Sequence, residues 1–309
     1  MYLGGGTPSS LEPDELSQLL SAVPGKPWLE ATIEAAPCTI TAEKARGWRE
    51  CGINRVSLGV QSFVEREIAR TGRKHTAAIV EHEVGLLRDA GITNFNIDLI
   101  AGLSGQTAAS WQQSLDWIER LQPPHVSIYM LEVDDDSRLG HEVLLNGKRY
   151  GAPEIPSDDL TAEMYETAVA RLKSLGIPRY EISNFARPGF ESKHNLKYWR
   201  LEPYCGFGAD AHSFDGARRW QNPETVEEYM ASNHAAPSVA ANHTEEKFFV
   251  GLRLTEGVRP NTAEWTQYDR PIRRFLDAGL LETENGTLRL TDRGVLLSNE
   301  VFQEFLTAC

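Results

Sequence analysis

What most constrains the fold is a repeating order of strand-like and helix-like segments between residues 29 and 183. Residues 29–35 read as a strand and 41–51 as an amphipathic helix, with Thr41 as its cap and Gly52 closing it. Residues 54–60 read as a buried strand, 76–90 as a long helix stopped by Gly91, and 94–100 as a third strand. The rhythm continues with a helix over 107–121, a strand over 125–131, a helix over 160–175 and a short strand over 180–183. Strands that alternate with helices predict an α/β fold, a parallel sheet covered by helices.

A chain of 309 residues is long enough for one large α/β barrel or two smaller domains. Its hydrophobic fraction of 41% and charged fraction of 24% lie near globular averages and exclude wholesale disorder. No apolar run approaches the roughly 18 residues that a membrane helix needs. The first residues carry neither a basic segment nor an apolar one, so no secretory signal is expected and a cytoplasmic protein is. The net charge of −13 argues against a phosphate-binding surface and so against nucleic acid as a partner. Cys38, Cys51, Cys205 and Cys309 lie too far apart for a close metal-ligand motif.

The alternation stops near residue 185, which predicts a barrel over 1–185. Residues 186–243, rich in Gly, Pro, Asn and aromatics, read as an irregular segment packed on it. Residues 244–309 read as a small α+β domain of winged-helix type: a helix over 244–254, another over 271–280, a hairpin and a final helix over 291–305. The hairpin is signalled by Asn285-Gly286 between alternating apolar residues. Residues 240–309 hold eight Lys and Arg against eleven Asp and Glu, so this domain lacks the charge for nucleic acid and reads as a lid or protein contact.

Polar residues mark the strand ends. The Gly4-Gly5-Gly6-Thr7 turn, Glu34, Gln61 and Asp98 each lie at or just past the C-terminal end of an expected strand. In a parallel barrel those ends share one mouth, where ligands bind. Glycines let backbone approach a ligand closely, and Glu34 suits an ammonium or another cation. Arg73, twelve residues beyond Gln61, suits a carboxylate. Asp98, flanked by apolar residues, suits either ribose hydroxyls or a core ion pair.

Farther on, His194-Asn195-Leu196-Lys197-Tyr198-Trp199 sets an imidazole beside two aromatics. Such a set fits a haem-iron ligand with rings to flank the macrocycle, or a core histidine in an aromatic cluster. In the segment 204–212, Cys205 reads as buried, and His212 is a second histidine that could face a haem.

Together these segments resemble a known family. The stretches 2–9 (Tyr-Leu-Gly-Gly-Gly-Thr-Pro-Ser), 52–63, 96–107, 194–199 and 206–213 are similar to the radical S-adenosylmethionine, oxygen-independent coproporphyrinogen III oxidase-like proteins. The His-Asn-x-x-Tyr-Trp element points to their haem-chaperone branch, HemW. The resemblance implies a partial (β/α) TIM-like radical SAM barrel with S-adenosylmethionine and a [4Fe-4S] cluster at its mouth. It assigns Gly5, Gly6, Thr7, Glu34, Gln61, Arg73 and Asp98 to S-adenosylmethionine, and His194, Asn195, Tyr198 and Trp199 to haem, with His194 as iron ligand. Haem is then cargo, respiratory haem proteins are its recipients, and peripheral membrane association is compatible with the role.

The family holds its cluster with a Cys-x-x-x-Cys-x-x-Cys motif placed before the Gly-Gly-Gly-Thr-Pro turn, and this chain contains no such spacing. The resemblance therefore implies that the cluster segment and the first βα unit lie outside this sequence, and that the chain as written does not cleave S-adenosylmethionine. Ala36 stands where the family often has Asn. The alternatives are an oxygen-independent coproporphyrinogen III dehydrogenase of porphyrin biosynthesis and a truncated paralogue without cluster chemistry.

Overall fold

The computed structural model describes residues 1–133, 138–145, 147, 149–232 and 238–306. Two units are present: Met1–Arg179 with Ser183–Glu191, and Tyr180–Ile182 with Ser192–Cys309.

The first unit is built on a six-stranded sheet in chain order: β1 (Tyr2–Leu3), β2 (Thr32–Ala35), β3 (Arg55–Gln61), β4 (Asn94–Ala101), β5 (His125–Met130) and β6 (Asn184–Ala186). β1 to β5 are parallel, and β6 pairs antiparallel with β5. The connections carry α1 (Pro13–Ser21), α2 (Ala42–Glu50), α3 (Glu65–Arg70), α4 (Ala77–Asp89), α5 (Ala108–Leu121), α6 (Arg138–Leu144) and α7 (Asp158–Ser174). Thr41, Thr76, Thr107 and Ser157 each accept a backbone N–H with the side-chain oxygen, which fixes where α2, α4, α5 and α7 begin.

Side-chain alternation divides the sheet into two unlike faces. Val56, Leu58, Ile97, Leu99 and Val126 point one way and are fully buried, as are Trp48 of α2, Leu87 of α4 and Leu115 of α5. The residues between them, Arg55, Ser57, Asn96, Asp98, His125 and Ser127, point the other way. Parallel barrels commonly fill that inner face with Val, Ile and Leu. Here it is polar, which marks it as a place for hydrogen bonding.

One expected strand moves. Residues 180–183 form no strand of this sheet; β6 begins at Asn184 and runs the opposite way. The cause is a fold-back. Arg179 bridges Phe185, and the Ala186 amide donates to the Pro178 carbonyl, so residues 180–182 are looped out and bridge Leu254 instead.

In the second unit, α8 (Lys193–Trp199) precedes an antiparallel sheet of β7 (His212–Phe214), β8 (Arg218–Gln221) and β9 (Ser238–Ala240), with α9 (Val226–Ala231) between β8 and β9. Then follow α10 (His243–Gly251), α11 (Thr262–Gln267) and α12 (Asp269–Asp277), the hairpin β10 (Leu281–Glu284) and β11 (Thr287–Leu290), α13 (Asp292–Leu296) and α14 (Ser298–Gln303). Asn285 and Gly286 turn the hairpin with φ of 52° and 77°, the left-handed pair that matches the twist of the strands. The single final helix expected over 291–305 is broken at Leu297. Phe248 stacks on Phe305 at 4.8 Å and meets Tyr268 at 4.8 Å to form this unit's apolar centre.

Candidate functional site

The register of the strands brings the predicted mouth residues together. Glu34 lies beside Ser57, and Gly59 beside Asp98. The Tyr2 hydroxyl donates to Glu34 Oε1 at 2.6 Å, which ties the first strand to the second. Burial, reinforced by that bond and by the Glu34 charge, pushes the Tyr2 phenol well up, so it keeps its proton and can donate it to Glu34. The Glu34 carboxyl is also raised, chiefly by burial. Gly5, Gly6 and Thr7 form the exposed turn that follows β1.

Gln61 ends β3 in a left-handed conformation, φ 70°, where the register with β4 shifts. A non-glycine residue pays for that conformation, and such strain concentrates at functional sites. Its Oε1 is buried without a hydrogen-bond partner. An Arg73 guanidinium N–H donates to the Gly59 carbonyl at 2.8 Å. A Cβ on Gly59 would stand 3.3 Å from Gln61 Nε2 and 3.6 Å from the Arg73 guanidinium, so the missing side chain lets these two groups meet above the strand. On the other flank, a Cβ on Gly4 would stand 2.8 Å from the Tyr2 ring and 3.1 Å from Glu34 Oε1. Glu34, Gln61, Arg73 and Asp98 thus converge around the Ser57–Gly59 stretch.

Beneath them runs a network that the sequence reading missed, centred on Asn96. Its Nδ2 donates to Asp98 Oδ1 at 2.6 Å and to Ser57 Oγ at 2.8 Å. Asp98 accepts only, so the amide nitrogen must face it and Oδ1 must face β5. There Asn96 Oδ1 meets His125 Nδ1 at 2.7 Å and accepts from Ser127 Oγ at 3.2 Å. The histidine therefore carries its proton on Nδ1. Its acidity fits: burial first, then the Arg55 charge, holds its pKa well below the ordinary value, so the ring is neutral. Arg55 is itself buried, and among the described residues it forms no ion pair. Its charge instead acts at range on Asp98 and Tyr2. The signal was legible: Arg-Val-Ser-Leu-Gly, Asn-Phe-Asn-Ile-Asp and His-Val-Ser alternate polar with apolar, which puts the polar set on one face.

Burial raises the Asp98 carboxyl, opposed by hydrogen bonds from Ser127, Asn96 and Ser57 and by Arg55. A carboxyl with a folded-state pKa above its unfolded one binds a proton more readily when folded, so its contribution to stability falls as pH rises out of the ordinary carboxylate range through the raised value. Asp98→Asn is expected to remove that share of the slope. Urea unfolding of both proteins across that pH range checks it, and parallel stability curves would contradict it.

In the second unit, α8 carries the His-Asn-x-x-Tyr-Trp element. The Tyr198 hydroxyl and His194 Nε2 are 3.1 Å apart, and the two rings meet edge to face at 4.8 Å. Tyr198 packs on Tyr204 at 4.7 Å, and Tyr204 on Phe214 at 6.3 Å. Arg219 lies 4.2 Å over Phe214 and forms a two-pronged pair with Glu246. The Asn195 backbone N–H donates to Ser192 Oγ and caps α8. Trp199 faces the Arg253 guanidinium at 4.4 Å. His212 is exposed at the start of β7. Cys205, expected to be buried, is exposed: it sits in a loop whose backbone bonds with Asn222 and Ser213 turn its side chain outward.

Comparison with known proteins fixes the family. Residues 1–118 match the Radical SAM superfamily, and residues 240–297 match the HemN C-terminal domain. The heme chaperone HemW of Lactococcus lactis is 36% identical over 99% of this chain and 84% of its own length. The chain belongs to the HemW family of radical SAM proteins. HemW of Bacillus subtilis is 35% identical over 99% of this chain and 85% of that protein. Among solved structures, the Escherichia coli radical SAM enzyme HemN, a coproporphyrinogen III oxidase, superposes with a TM-score of 0.80 over 98% of this chain and 76% of that one. At 20% identity this shows the fold: an α/β radical SAM architecture.

The radical SAM family uses S-adenosylmethionine and a [4Fe-4S] cluster, and the two fit these residues differently. The HemW-family barrel mouth here fits an amino-acid nucleoside: a buried unpartnered Gln61 Oε1, an exposed glycine turn, two carboxylates and a guanidinium. The cysteines do not fit a cluster. Cys38 and Cys205 are exposed, Cys51 is half-buried, and no three His, Cys, Asp or Glu side chains among the described residues form a metal-holding group. No helix among the described residues is long and apolar enough to cross a membrane.

Proposed function

We propose that this chain is a haem-binding protein of the HemW type, which takes up haem through α8 and binds S-adenosylmethionine at the barrel mouth. The observation that carries the haem reading is His194 presented on a short helix with Tyr198 against its Nε2, in a chain a third identical along its length to heme chaperones. A neutral imidazole is a good haem-iron ligand, and a hydroxyl held at Nε2 orients the ring and biases which nitrogen carries the proton. Tyr198 and Asn195 complete the surface that meets the porphyrin. The cargo passes to haem proteins, those of respiration being the class the family resemblance names.

S-adenosylmethionine, when bound, brings a sulfonium flanked by ammonium, carboxylate and ribose groups. Glu34 would take the ammonium, with Tyr2 fixing its carboxylate, and the backbone of Gly5, Gly6 and Thr7 would border the methionine end. Arg73 would take the carboxylate, Gln61 the neighbouring chain, and Asp98 the ribose hydroxyls, oriented by Asn96. The Ala36 side chain offers no polar contact at the end of β2. An absorbance titration of haem into the purified chain tests the reading. It predicts a saturable one-to-one complex with a shifted Soret band; a linear, unsaturable rise would contradict it.

A further inference from the structure

The three-residue segment Tyr180-Glu181-Ile182 leaves the barrel sequence to join the second unit. Its backbone is fixed along residues 254 and 255: Glu181 bridges Leu254, and the Thr255 amide and hydroxyl both donate to the Tyr180 carbonyl, at 3.0 and 3.2 Å. Its two polar side chains then act on the helix that bears His194, one directly and one through Arg253. The Ser192 amide, at the N-cap of α8, donates to the Tyr180 hydroxyl at 3.2 Å. At the other end, the fully buried Glu181 carboxylate accepts from Arg253 at 3.4 Å, and the Arg253 guanidinium carbon lies over the Trp199 ring, 4.4 Å from its centroid.

The planar guanidinium explains the choice of residue at 253. It donates from its edge while its face covers an aromatic ring, which an ammonium cannot do in one geometry. A buried Glu181 without that cation would be costly, so the pair is held from both sides. The indole is covered by Arg253 on one face, and its Nε1 is buried without a partner. That makes Trp199 an anchor, with Tyr198 at 6.4 Å and His194 beyond it. A seven-residue helix has too few internal bonds to hold its own direction, so anchoring at both ends decides where His194 points.

We propose that Tyr180 and Glu181 are positioning residues that clamp α8 at its two ends, Tyr180 directly and Glu181 through Arg253 and Trp199, and so aim His194 at an iron porphyrin. The porphyrin part of this inference rests on the haem reading above; the clamp does not. Tyr180→Phe removes one hydroxyl, and Glu181→Gln keeps a bond to Arg253 while removing the charge. Arg253→Lys keeps the charge and loses the flat face.

The test combines amide hydrogen exchange over residues 192–200 in the haem-free full chain with haem titration of the same variants. Exchange is expected to speed up in all three, and haem affinity to fall about tenfold, the size typical when groups that orient a metal ligand are removed. The Soret band of the weakened complexes should broaden into ligated and unligated forms, a change that a general loss of stability does not produce. Unchanged exchange overturns the clamp, and faster exchange with wild-type haem affinity and spectrum overturns its positioning role. A wild-type chain that takes up no haem overturns the haem reading instead, and the exchange data still decide the clamp. Should Glu181→Gln fail to fold, Tyr180→Phe, which removes no charge and leaves the Glu181–Arg253 pair in place, gives the same comparison.

Discussion

Asn96→Leu is expected to lower the unfolding free energy of the barrel unit by about 3 kcal/mol, the cost of leaving more than one buried polar group short of a hydrogen bond. The substitution keeps the branching at Cγ while removing four polar contacts at once: Asp98, Ser57, His125 and Ser127. Each orphaned buried group costs about 1–3 kcal/mol, and the carboxylate most. Ser57→Ala, which removes one weaker arm, is expected to cost about 1 kcal/mol, the usual net value of one hydrogen bond. Urea unfolding midpoints followed by tryptophan fluorescence check both values. A loss below about 1 kcal/mol for Asn96→Leu would show that the network is satisfied by other groups.

His194→Ala is expected to weaken haem binding by at least about tenfold, 1.4 kcal/mol, and to abolish the spectrum of an imidazole-ligated iron. Tyr198→Phe separates ligation from orientation. It leaves the imidazole in place and removes only the hydroxyl 3.1 Å from Nε2, so ligation should persist with lower affinity. His212→Ala, at the exposed start of β7, is expected to leave the spectrum unchanged. Absorption spectra of the ferric complexes distinguish these cases. Loss of ligation in His212→Ala with retention in His194→Ala would reverse the assignment.

The barrel strands β3 to β5 and the capped helices around them were legible because each is long enough to show a period and is bounded by Thr, Ser or Gly. The mouth residues followed from their place at strand ends. Three features were less visible for distinct reasons. The antiparallel β6 depends on a fold-back between Arg179 and Phe185, a contact with no local pattern. The three-stranded sheet β7 to β9 is made of strands of three or four residues, shorter than one clear alternation. The Asn96 network was present as polar alternation in three strands, yet that alternation gains meaning only once parallel pairing sets Ser57, Asn96 and His125 in one row. Likewise, nothing in the local sequence joins Glu181 to Trp199; Arg253, distant from both in the chain, makes that link.

The claim that His194 holds the haem iron is tested most directly by chemical rescue. His194→Gly removes the ligand and leaves a space the size of an imidazole ring. Ferric haem bound to this variant is predicted to show an unligated spectrum, and added imidazole to restore the wild-type Soret band and electron paramagnetic resonance signal. A wild-type spectrum from His194→Gly before any imidazole is added would contradict the account.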